Sequence, residues 1–101
     1  MSRRADPHAG LLRHLQARLA QAGLEAELQS SHSQRWSSAT FTGARHRFHF
    51  AASGRADGIA RVAHELGESD LPLPEHIVAD IAVIRADGAR FDVEALTVES
   101  R

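Results

Sequence analysis

The run Arg45-His46-Arg47-Phe48-His49-Phe50 alternates strictly between two kinds of side chain. In extended chain, successive side chains point to opposite sides. Arg45, Arg47 and His49 therefore share one face, and His46, Phe48 and Phe50 share the other. The cationic face could meet an anion, and Trp36 a few residues earlier adds a ring of the kind on which nucleic-acid bases stack. A second group with chemical potential is Asp80, the one charge in Ile77-Val-Ala-Asp-Ile-Ala-Val-Ile84. A carboxylate in so apolar a strand needs a partner, and Arg47 or His49 is expected to supply it. His49 with Asp80 would also make an acid–base pair. Trp36, Arg45, Arg47, His49 and Asp80 are thus the candidate interaction face.

Much other chemistry is excluded. The chain has no cysteine, lysine or tyrosine, which removes thiolate nucleophiles, sulfur-built zinc sites, Schiff-base lysines and tyrosine acids. His46 falls on the aromatic face, where a neutral imidazole bonded to backbone is expected. His46 and His49 point to opposite faces and cannot chelate one metal. His8, His14, His32, His64 and His76 show no ligand spacing and most are expected at the surface, and Gly43, Gly54, Gly58, Gly67 and Gly88 each have a turn or helix-end reading rather than a phosphate-binding one. No catalytic, cofactor-binding or metal-binding residue is assigned, and no cofactor is expected. Without a nucleophile or oxyanion-hole motif, the enzyme reading stands behind a non-enzymatic one.

Length and balance point the same way. The chain has 101 residues, 43% hydrophobic and 25% charged, which suits a single domain over 1–101 with residues 1–5 a frayed basic start. A formal net charge of −1 argues against a nucleic-acid partner held by bulk charge. No apolar run approaches the roughly 20 residues of a membrane span, and Met1 is followed by polar residues rather than a signal core, so a cytoplasmic location is expected. The abundance of Ala, Arg and Gly beside the missing Lys, Tyr and Asn reads as a GC-rich bacterial composition.

The positioning elements follow from periodicity. Asp6 caps and Pro7 starts a helix over 7–22, with Leu12, Leu15, Leu19 and Ala22 as its stripe, Leu11 on the flank and Gly23 as the stop. Leu24, Ala26 and Leu28 alternate with polar residues as a strand, and Ser30-Ser-His-Ser33 is read as a link. Two further strands flank a Gly43-Ala44 turn, pairing Phe41 with His46, Ala39 with Phe48 and Ser37 with Phe50. Ala39, Phe41, Phe48 and Phe50 then face inward, and Trp36, Ser38, Thr40, Arg45, Arg47 and His49 face outward. Ile59, Val62, Ala63 and Leu66 form a second helix ending at Gly67. Leu71-Pro-Leu-Pro74 is a connector. Ile77–Arg85 is a strand returning through an Ala86-Asp87-Gly88 loop, which pairs Val83 with Phe91, Ile81 with Val93 and Ala79 with Ala95. Asp80, Asp92 and Glu94 are left on the outward face.

The expected fold class is α+β in the order α-β-β-β-α-β-β, one antiparallel-rich five-stranded sheet with two helices on one face. A right-handed crossover through the second helix would make one strand contact parallel. Over roughly residues 7–98 this order resembles the secretion chaperone-like fold, whose members are small, often dimeric bacterial proteins that hold partner chains. Phe41-Thr-Gly-Ala-Arg-His-Arg-Phe48 and His76-Ile-Val-Ala-Asp-Ile-Ala-Val83 look similar to segments of small uncharacterised bacterial proteins. The functional expectation is a non-enzymatic protein-interaction module, homodimeric, working through its open sheet face or an uncovered edge strand. Single-stranded nucleic-acid binding through Trp36, Arg45, Arg47 and His49, and an acid–base enzyme using His49 and Asp80, are the alternatives.

Overall fold

The computed structural model describes residues 6–100 apart from residues 56 and 69. The expected fraying of 1–5 lies outside the described residues. Two helices and four strands follow in the order α1 (Pro7–Gln21), β1 (Leu24–Ser37), β2 (Thr42–Gly54), α2 (Gly58–Glu68), β3 (His76–Asp87) and β4 (Arg90–Glu99). The strands form one sheet in the order β1-β2-β4-β3, and every contact is antiparallel. The chain is therefore two αββ units, joined edge to edge where β2 meets β4.

This corrects the five-stranded expectation and, with it, the seven-element order from which the chaperone resemblance was read. The polar stretch Ser30–Ser33 is not a link, because it continues β1 in unbroken register with β2. An extra residue at Gln29 reverses the alternation there, as a β-bulge does, and the stretch carries no apolar residue to reveal its phase. The hairpin turns at Ser38–Phe41 instead of Gly43-Ala44. Ser38 closes it, donating its N–H to the Phe41 carbonyl at 2.8 Å and accepting the Phe41 N–H on Oγ at 3.1 Å. Ser37 consequently pairs with Thr42, Ser31 with Phe48 and Leu28 with Phe50, and Ala39 and Phe41 are exposed.

The second hairpin is also corrected. Asp87 pairs with Arg90 across a two-residue Gly88-Ala89 turn, with Gly88 at φ 61, as a hairpin turn with glycine first requires. The surplus residue lies inside β3 at Ile84, with another at Ala79. Val83 thus meets Val93, Ile81 meets Ala95 and Ala86 meets Phe91. The parallel contact expected from a crossover does not form, because β4 rather than β3 enters beside β2.

The helices form where expected, except that α2 runs one residue past Gly67. Asp6 accepts the His8 and Ala9 N–H groups at 3.0 and 3.3 Å, Pro7 occupies the first turn, and Gly23 at φ 78 lets the chain leave α1 for β1. The centre of the α1 stripe is Leu11, Leu15 and Leu19, with Leu12 at its margin. α1 lies against β1 and α2 against β3. Their buried side chains, including Val62 and Leu66, join Phe48, Phe50, Phe91, Val93 and Ala95 in one core on one side of the sheet. The proline connector is tied down too. Leu71 is buried, Leu73 sits where a side chain on Gly10 would be, and His14 Nε2 reaches the Pro72 carbonyl at 2.7 Å.

Candidate functional site

The strand registers lay out the open face of the sheet as rows running β1, β2, β4, β3. They read Trp36–Gly43–Val98–Ile77, then Gln34–Arg45–Leu96–Asp80, then His32–Arg47–Glu94–Ala82, then Ser30–His49–Asp92–Arg85, and last Glu27–Ala51–Arg90–Asp87. All five residues singled out from the sequence stand on this face. Its chemistry differs from the expected pairing, however. Arg47 is bonded to Glu94, and His49 Nδ1 lies 2.7 Å from Asp92 Oδ1, each with its immediate cross-strand neighbour. Asp80 stands opposite Leu96 on the outermost strand, two columns and two rows from His49, so the two are not brought together.

The face has no positive excess. Arg45, Arg47, Arg85 and Arg90 stand among Glu27, Asp80, Asp87, Asp92 and Glu94. What it does carry is an apolar end. Trp36, Val98 and Ile77 form the first row, Leu96 follows in the second, and the turn bearing Phe41 closes the same end. Ile77 is 57% and Phe41 56% exposed. Gly43 is built into this end, since a Cβ there would strike the Thr97 carbonyl and the Trp36 ring. The indole takes the space a side chain would fill, an aromatic covering a strand glycine. Its Nε1 is buried without a hydrogen-bond partner among the described residues.

On the helix side, His46 is buried at 1% exposure, as expected, but its partners are side chains rather than backbone. His46 Nε2 lies 2.8 Å from Thr97 Oγ1, and His46 Nδ1 lies 2.9 Å from His8 Nδ1. Thr97 donates its hydroxyl to the Ala44 carbonyl at 3.3 Å, so it must accept from His46 Nε2–H. In neutral His46, Nδ1 is then an acceptor and His8 Nδ1–H the donor. Neutral His8 accepts on Nε2 from the Ser31 hydroxyl, 2.9 Å away. Four hydrogen bonds thus run in one direction from Ser31 to Ala44, and each fixes the tautomer of the next. The His8 ring also lies on Phe48, centroids 4.6 Å apart, and the stack continues through Phe50 to Phe91.

Burial and the charge of His8 push His46 down to about 4 from an ordinary 6.5. Burial, with His32 nearby, also lowers His8 in spite of Asp6. A cleft of about 520 Å³ opens beside the pair, lined by Ser33, Arg35, Glu75 and His76 among others. Among the described residues, no group of three or more His, Asp or Glu side chains is placed to hold a metal ion.

His8 is the residue sequence reasoning missed. A signal was available: position 8 falls in phase with Leu11, Leu15 and Leu19, so the first turn of α1 aims it at the sheet.

No protein-family model and no curated protein matches the chain. Among solved structures, it is similar to a chain of the virion of a native gene transfer agent particle, at 18% identity and a TM-score of 0.49, over 84% of this chain and 81% of that one. Among the described residues, no helix is long and apolar enough to cross a membrane.

Proposed function

We propose that the chain is a small protein-interaction module with no chemistry of its own, and that a second copy of itself is among its partners. The observation that supports this most directly is the uneven finish of the sheet. Helices cover one face, while the other ends in Trp36, Val98 and Ile77, with Arg45 and Asp80 in the next row and the bonded pairs Arg47–Glu94 and His49–Asp92 beyond. An exposed apolar patch rimmed by polar groups is the composition of a protein interface. The four arginines of this face stand among five carboxylates, so it offers no positive excess to phosphate.

Sedimentation velocity across a wide concentration range, and quantitative affinity capture comparing wild type with Ile77→Asp, test the reading. Self-association, together with partners lost on the Ile77→Asp change, is expected. A chain that stays monomeric throughout and recovers the same proteins with Ile77→Asp would end it.

A further inference from the structure

β1 and β3 are the two edges of the sheet, and they are finished differently. β3 breaks register at Ala79 and at Ile84 and carries Asp80, Arg85 and Asp87. Bulges and charges are the devices that keep an edge from pairing with another chain. β1 has no such protection beyond Gln29. From Ser30 to Ser37 it matches β2 residue for residue, contains no proline, and carries Arg35 as its single charged residue. Residues 29–35 are all exposed. A straight edge of this kind presents a row of outward N–H and C=O groups.

We propose that this edge takes a second copy of the chain, β1 antiparallel to the partner's β1 about a two-fold axis at Ser33, giving one continuous eight-stranded sheet. The inference rests on the self-association proposed above and places it at the β1 edge, leaving the apolar end of the open face, with Ile77 on the opposite edge strand, to other partners. Directly opposed residues in an antiparallel pair share a face, so a two-fold normal to the sheet must bring one residue against its own copy. The midpoint of the straight run 30–37 falls between Ser33 and Gln34, and of the two Ser33 has the smaller side chain to place against its own copy. Centred on Ser33, the pairing sets Ser30 opposite the partner's Trp36, Ser31 opposite the partner's Arg35 and His32 opposite the partner's Gln34. No like charges meet, because the two Arg35 side chains lie at opposite ends of the seam. The small serines let the backbones close, and the two α1 helices fall on the same face, on either side of the seam.

The chain contains no cysteine, so Ser33→Cys carries a single thiol that can meet only its own copy. Across an antiparallel pair the Cα atoms are about 4.5–5.5 Å apart, within disulfide reach. Under mild oxidation, Ser33→Cys is expected to form a disulfide-linked dimer roughly tenfold or more faster than Arg35→Cys, since only the first holds its thiols at high effective concentration. Equal rates for the two variants would overturn the edge pairing. So would a dimer by sedimentation that Ser33→Cys fails to trap, and in that case self-association would stand on another surface. A chain monomeric at every concentration would remove both the pairing and the self-association it rests on.

Discussion

His8 and His46 face each other through Nδ1 atoms 2.9 Å apart, and a proton fits between them only once. If both rings were protonated, two N–H groups would point at each other, so the contact survives one added proton and not two. Both pKa values are lowered in the folded chain, so the unfolded chain takes up protons first as pH falls. Stability is therefore complete above the unfolded value of 6.5 and is lost progressively down to about 4. From His46 the loss is on the order of 3 kcal/mol. Urea unfolding across this window should show the decline in wild type and a flatter profile in His46→Leu. An equal slope in the two would place its source elsewhere.

Phe48 and Phe41 should respond oppositely to truncation. Phe48 is fully buried and stacked between His8 and Phe50, whereas Phe41 is exposed in the turn. Phe48→Ala is expected to cost about 3–5 kcal/mol, and Phe41→Ser to stay within about 0.5 kcal/mol. Chemical denaturation of both variants checks the hairpin turn at Ser38–Phe41, since a turn at Gly43-Ala44 would bury Phe41.

Two glycines make a second contrasting pair. A methyl at Gly43 would collide with the Thr97 carbonyl of β4, so Gly43→Ala should lose about 1–3 kcal/mol. Gly67 lies inside α2 with nothing within 4 Å of an added Cβ. Gly67→Ala should gain about 0.5–1 kcal/mol from helix propensity. Melting temperatures moving in opposite directions would bear this out.

Arg47 and Glu94 are bonded across β2 and β4 with their side chains 39% and 30% exposed. A double-mutant cycle to alanine should return a coupling of no more than about 1 kcal/mol, diminished by salt. A larger coupling that salt leaves unchanged would mean that the pair is shielded from water, as a bound partner would shield it.

Helices and central strands were legible because apolar periodicity wrote them. Leu11, Leu15, Leu19, Val62 and Leu66 mark helix faces, and His46, Phe48 and Phe50 mark the inner side of β2. The edges were not legible. Ser30–Gln34 has no apolar residue to carry a phase, and the bulges at Gln29, Ala79 and Ile84 shift register without leaving a residue type that announces it. The candidate face was found because alternation along β2 is unbroken. The partners of Arg47 and His49 were misassigned because cross-strand neighbours depend on strand order, which local patterning does not encode.

The doubled αββ arrangement makes the molecule a pair of half-domains tethered in one chain. Their strand-to-strand contact is the seam from Gly43 opposite Val98 to Ala51 opposite Arg90, and the covalent tether is the short passage between Gly54 and Gly58. Each half closes its own hairpin locally, so cooperativity between them resides in the seam and the core above it. Cutting the tether converts one fold into a bimolecular recognition problem, in which two fragments must find each other through β2 and β4. The central seam thus plays, within one molecule, the part of an obligate interface.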